Sequence, residues 1–143
     1  MKRFLKIITV ILTAALLISG LTSCSGGFTS TEANTMIEDF LSKISAEDYE
    51  GAKALVHPSY KEDLESYIKI CEKAGGFDCS DGFEIQEYTN TSYSKNNEAV
   101  GGAAYSTTFN AALGFKLVKV TVEIVKNDAG YGIYTFNIEA IKS

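Results

Sequence analysis

From residue 83 onward the apolar side chains recur at every second position, whereas before it they recur at every third or fourth. That change of period divides the chain into a helical part followed by a sheet part, because side chains repeat every 3.6 residues on a helix and every 2 on a strand. The clearest strand spans residues 115–126. There Val118, Val120, Val122 and Ile124 form one wholly apolar face, and Lys119, Thr121 and Glu123 lie on the other. Such a strand has a core side and a wet side, as antiparallel sheets do. Asn127-Asp128-Ala129-Gly130 is a turn by composition, so residues 131–141 return antiparallel with Tyr134, Phe136, Ile138 and Ala140 inward. Residues 83–93 and 99–110 supply two earlier strands, joined through Ser94-Lys95-Asn96-Asn97. Gly101-Gly102 inside the second of these predicts a bulge or a sharp bend.

The helical part carries three start signals with capping-box spacing: Thr29 with Glu32, Ser45 with Asp48, and Ser59 with Glu62. The first helix aligns Ala33, Met36, Ile37, Phe40, Leu41 and Ile44 on one stripe. A second, over residues 46–56, presents Tyr49, Ala52, Leu55 and Val56 and is stopped by His57-Pro58, since proline disfavours helix at the residue before it. The third, over residues 60–74, has Leu64, Ile68 and Cys71 on its apolar side and ends at Gly75-Gly76. The expected class is therefore α+β, with three N-terminal helices packed on a curved, four-stranded antiparallel sheet.

Ahead of this domain, Lys2, Arg3 and Lys6 precede the uncharged apolar run 7–18. This is the basic region and apolar core of an export signal. It closes with Leu21-Thr22-Ser23-Cys24, which resembles the lipobox of bacterial lipoproteins at all four positions. The resemblance implies cleavage before Cys24, a diacylglyceryl thioether on its sulfur, and a further acyl chain such as palmitate on the freed amine. One acyl chain holds a protein only marginally, at ~0.8 kcal/mol per buried methylene, whereas two or three make a durable anchor. A spanning helix and a soluble secreted chain are the alternatives. The first needs roughly 20 apolar residues, more than this run contains. The reading divides the chain into a signal peptide (1–23), a lipidated cysteine with a short tether (24–30) and one domain (31–143).

Three of the 13 basic residues lie in the signal, leaving 10 against 18 acidic ones and a formal charge of −8. A domain of that charge has no footprint for nucleic acid. It is also repelled by an anionic membrane, so lipid must do the holding. Once Cys24 is consumed, Cys71 and Cys79 remain as an even pair in an oxidising compartment, where a disulfide across Gly75-Gly76 is expected. The alternative is that Cys71, on the apolar stripe, is an ordinary buried thiol.

Residues 31–143, in element order, length and the phrase Asp48-Tyr49-Glu50-Gly51-Ala52-Lys53-Ala54-Leu55 running to His57-Pro58, resemble small lipoproteins of the NTF2-like (SnoaL-like, cystatin-like) superfamily. The resemblance implies helices packed into a bent sheet as a cone with a pocket at its open end. It also implies either an isomerase or dehydratase activity or, as in many exported members, none that is known. The sequence departs from that layout in lacking a short strand between the second and third helices.

Few residues carry chemistry. His57 is the only histidine, which excludes a histidine metal cluster, and its place after a helix suits a cap on the helix dipole. Asp78, Asp81 and Glu84 surround Cys79 without calcium-loop spacing, and Asn90-Thr91-Ser92 is a glycosylation sequon without meaning behind a bacterial lipobox. Strand parity turns Glu87 inward with Phe83 and Ile85, and it also turns Tyr105 inward, while the last strand offers Tyr134. An inward carboxylate with hydroxyl donors is what an isomerase-type site requires of a base and an oxyanion holder. No metal or cofactor motif is present in the sequence. Two functions follow as expectations. One is a non-enzymatic binding or interaction domain of the cell envelope, held to the membrane by lipid and engaging a small apolar ligand or another envelope protein. The other is a pocket enzyme using Glu87 as general base.

Overall fold

The computed structural model describes residues 27–142; the segment expected to be a signal peptide, the expected lipid site Cys24, residues 25–26 and Ser143 lie outside the described residues. Helices α1 (Ser30–Ser45), α2 (Tyr49–Lys53) and α3 (Leu64–Gly75) and a 3-10 turn (Cys79–Asp81) precede the strands. These are β1 (Phe83–Asn97), β2 (Gly102–Leu113), β3 (Lys116–Asn127) and β4 (Gly130–Ala140). They form one open sheet in the order β1-β2-β3-β4, every pair antiparallel, so the class is α+β.

The capping box of α1 is formed: Thr29 N–H donates to Glu32 Oε2 at 2.6 Å and Glu32 N–H to Thr29 Oγ1 at 3.1 Å. The other two start three to four residues later than expected. The apolar stripe of α1 carries it through Ser45, Glu47 turns the chain with a left-handed φ of 57°, and Asp48 caps α2 by accepting Gly51 N–H at 2.9 Å. Ser59 is likewise no cap, since the next helix starts only at Leu64, and its N–H donates to His57 Nδ1 at 3.0 Å. Asp63 caps α3 instead, accepting Ser66 N–H at 2.8 Å. A carboxylate outcompetes a nearby hydroxyl where both spacings are available, since a charged acceptor makes the stronger hydrogen bond. Gly76 ends α3 in the left-handed region (φ 66°) as a glycine C-cap does.

Helix α2 is also shorter than its apolar pattern suggests, because residues 55–57 leave it to pair with the free edge of β4. His57 N–H donates to Ile133 O and Ile133 N–H to Leu55 O, both at 2.8 Å, making a parallel bridge at Val56 and Ile133. This one-residue strand sits between α2 and α3, where none was expected. Gly132 makes it possible: a Cβ there would stand 2.6 Å from Leu55 O.

In β3, Val118, Val120, Val122 and Ile124 are all buried, facing Ala111, Phe109, Thr107 and Tyr105 of β2 in an unslipped register. The β1–β2 turn is displaced from the expected Ser94-Lys95-Asn96-Asn97 to residues 98–101. Gly101 takes the left-handed φ of 71° that the turn requires, so of the bulge or bend expected at the glycine pair the structure has the bend, with Gly102 opening β2. The register slips fall in β1, between Ile85 and Glu87, Tyr88 and Asn90, and Ser94 and Asn97, and opposite Glu123 and Ile124 in β4. The last of these moves Tyr134 out of the inward row and buries Ile133 in its place. Core residues of the helices and strands form one cluster, with Phe40 of α1 edge-on to Phe136 of β4 at 5.1 Å between centroids.

The fold also reaches back into the segment expected to be tether. Phe28 is buried between Tyr93 (5.7 Å) and Tyr131 (5.2 Å), and Lys126 Nζ donates to Gly27 O at 3.1 Å.

The cap assignments predict that Asp48→Ala and Asp63→Ala each lower unfolding free energy by about 1 kcal/mol. Ser45→Ala and Ser59→Ala should change it by less than about 0.5 kcal/mol. Urea titrations of the unlipidated mature chain, followed by circular dichroism, measure the four differences.

Candidate functional site

The register slip beside Gln86 decides the fate of Glu87. It sets Glu87 opposite Asn110 on the outer face of the sheet and exposes it, while Tyr88 takes the inward place against Phe109, 5.6 Å away between rings. The expectation of an inward, desolvated base is therefore corrected: a bulge shifts every later side chain to the other face. Tyr105 is buried as expected, but its hydroxyl donates to Asn34 Oδ1 of α1 at 2.8 Å. Tyr134 stands edge-on to the His57 ring at 5.5 Å. Tyr105 lies five residues along β2 from the partner of Glu87, roughly 17 Å at strand rise and on the opposite face. The three residues do not converge, and a base with oxyanion donors must.

Burial raises a different carboxylate. Glu123, between Ser106 and Thr135 on the outer face and beside the β4 bulge, has its pKa pushed up by desolvation. The sequence carried no sign of this, since Glu123 reads as one of three wet-face residues on β3.

His57 is 1% exposed, and both of its ring nitrogens are committed. Nδ1 accepts Ser59 N–H, which leaves the Nε2 proton to donate to Asn127 Oδ1 at 2.9 Å. Asn127 in turn donates Nδ2–H to Val100 O at 2.7 Å. The histidine therefore ties the α2–α3 linker to the β1–β2 and β3–β4 turns. It does not cap α2, which ends four residues earlier.

Cys71 and Cys79 are free thiols, so the expected disulfide is not formed. Cys79 turns into the core at 1% exposure, and its N–H is held by Glu72 Oε1 at 2.9 Å. Burial first, and then the Glu72 carboxylate, push the Cys79 thiol up, away from the reactive thiolate form. The pKa of the Tyr67 hydroxyl is raised chiefly by burial and next by the neighbouring Cys71 thiol. Burial, followed by the nearby Glu62, also pushes Tyr60 up to about 12.

Two open depressions mark the surface. One, about 390 Å³, is lined by Glu47, Asp48, Tyr49, Glu50, Glu65 and Lys69; in it Lys69 lies 3.4 Å from Glu47 and over the Tyr49 ring. The other, about 290 Å³, lies between the C-terminal half of α1 and the start of β1. Glu87, Tyr105 and Tyr134 line neither. Among the described residues, no group of three or more His, Cys, Asp or Glu side chains is placed to hold a metal ion.

The largest departure from ordinary surface chemistry is apolar. Phe115, in the β2–β3 turn, is fully exposed, and Leu117 and Ile141 beside it are 51% and 39% exposed. Ile141 N–H donates to Leu117 O at 2.9 Å, which brings the end of β4 against this tip. Sequence reasoning counted Phe115 as the first strand residue. Gly114, whose left-handed φ of 58° builds the turn, was the available signal.

No family model, curated protein or solved structure matches the chain.

Two predictions follow from these placements. In the unlipidated mature chain carrying Cys24→Ser, Ellman titration after unfolding without reductant should count both remaining thiols, and Cys79 should react only once the chain unfolds; a zero count would establish the bridge. A carboxylate whose folded pKa is raised costs stability wherever it is ionised. Glu123→Gln should therefore raise the urea midpoint at neutral pH, and the gain should vanish as pH falls below the ordinary glutamate value of about 4.3.

Proposed function

We propose that the chain is a lipid-anchored, extracytoplasmic lipoprotein whose domain is a non-enzymatic binding or interaction module of the cell envelope. The anchoring half rests on the basic region, the apolar run and Leu21-Thr22-Ser23-Cys24, where a thiol stands at the one position lipid transfer requires. A durable hold then comes from the acyl chains, because a mature chain of formal charge −8 gains nothing from anionic headgroups. At the finer level the layout is read as NTF2-like: three helices before an antiparallel meander support it, as does the Val56 bridge to Ile133 between α2 and α3.

One observation carries the binding half. The space between α1 and the sheet is taken by the protein's own side chains, Phe40, Phe109 and Phe136 among them, while Phe115, Leu117 and Ile141 stand outside in water. Exposed apolar groups gathered at one tip mark a contact surface, with Lys116 and Lys142 adjacent in sequence to the apolar residues. The occupant is a protein or an apolar ligand met on the outside of the fold. An isomerase-type reading with Glu87 as base gains no support from an exposed carboxylate, and is not carried forward.

Metabolic labelling with an alkyne fatty acid tests the anchor. The wild-type chain should take up label and fractionate with membranes, and Cys24→Ala should do neither; label retained by Cys24→Ala would refute the reading. For the tip, a photo-crosslinking residue at position 115 in growing cells should give a discrete adduct that the same residue at exposed Thr135 does not. Equal behaviour at the two positions would count against an interaction surface there.

A further inference from the structure

We infer that the domain stands on the bilayer by one end of its sheet, the end formed by the β1–β2 and β3–β4 turns, with the Phe115 tip held away from the lipid. The inference rests on the lipid anchor proposed above and adds a direction to it. Its basis is the way the chain enters the fold. Gly27 is fixed to Lys126 by a 3.1 Å hydrogen bond, and Phe28 is buried between Tyr93 and Tyr131. Thr29 is the cap of α1. These contacts all lie at one end of the meander, where Asn97 faces Gly102 and Asn127 faces both Gly102 and Gly130.

Between this docked segment and the lipid-bearing Cys24 stand only Ser25 and Gly26. Three residue steps reach at most about 10 Å when fully extended. A longer flexible tether would let the domain tumble above the membrane, but one this short keeps its entry point within headgroup range. The turns at residues 98–101 and 128–129 are then the parts of the fold next to the bilayer. Phe115 lies just past the other end of β3, whose first residue, Lys116, is ten residues from Lys126, or ~33 Å at strand rise. Its side chain is out of reach of the membrane that holds the anchor, so its exposure is available to something else in the envelope.

The bilayer-facing end makes no adhesive surface of its own. Glu98 and Asp128 lie in its two turns, with Lys95 on β1 and Lys126 on β3 beside them, so the charges of this end balance and contact is imposed by the tether and not by attraction.

Since the chain has no tryptophan, a single one placed at either end reports its own depth. The experiment uses the full lipidated chain in vesicles of phosphatidylethanolamine and phosphatidylglycerol containing a headgroup-nitroxide lipid. The Asp128→Trp variant, and independently Ala99→Trp, should lose most of their emission, whereas Phe115→Trp should keep its emission unchanged. Quenching at position 115 equal to that at 128 and 99, or no quenching at any of them while the protein floats with the vesicles, overturns the orientation alone. A chain that carries acyl label but does not float overturns it as well. A wild-type chain without acyl label overturns the anchor, and the orientation with it.

Discussion

The unbroken ladder between β2 and β3 is the constraint on which the rest of the structure depends. From Gly102 opposite Asn127 to Leu113 opposite Lys116 it runs without a slip, so every inward side chain of one strand meets an inward side chain of the other. Each large aliphatic or aromatic residue buried there stabilises the fold by roughly 1.5–3 kcal/mol. Thr107, a buried polar member of that row, is satisfied by donating to Asn90 O and by its contact with Thr91. The outer strands can then be irregular without cost to the core, and both are: the bulges fall between β1 and β2 and between β3 and β4.

The two free edges are handled differently. On β4, residues 55–57 pair with Ile133, and the Tyr67 hydroxyl accepts Ile138 N–H at 3.4 Å while donating to Asn137 Oδ1 at 2.8 Å. Edge donors that would otherwise recruit another chain are thereby occupied. The β1 edge is left to polar residues and three register slips, both of which discourage edge-to-edge pairing. His57 belongs to the first of these devices. By holding Ser59 on one side and Asn127 on the other, it keeps the linker that covers β4 locked to the turns beneath it.

These features bear on function by what they use up. The only histidine, the inward tyrosine of β2 and the buried cysteine are each committed to internal partners, so chemistry-bearing groups serve architecture. Outward stand a largely polar sheet face, two acidic-rimmed or mixed depressions, the separate side chains of Ile70, Tyr88 and Tyr93, and an apolar tip where Phe115, Leu117 and Ile141 gather. That distribution is the basis for proposing recognition on the exterior, and the docked residues 27–29 relate it to the proposed anchor.

Sequence alone determined the elements with a strong repeating pattern. The stripe of α1 with its Thr29–Glu32 box, the alternation of β3, the turn at Asn127 and the stop at Gly76 were all legible, because each is a local choice that neighbouring residues reinforce. The proposed export signal and lipid site at Cys24 rest on a linear motif alone and lie outside the described residues. Tertiary structure alone decided which of two neighbouring caps is used, since Asp48 and Ser45, or Asp63 and Ser59, are all residue types that cap a helix. It also decided the inward face of β1 and β4. Parity counted from Phe83 puts Glu87 inside, but one extra residue at Gln86 reverses it, and nothing in a polar edge strand announces where that residue will fall. The same holds for Tyr134, the Val56 bridge and the free thiols: each depends on how segments distant in sequence meet, and that meeting is set by the core they jointly bury.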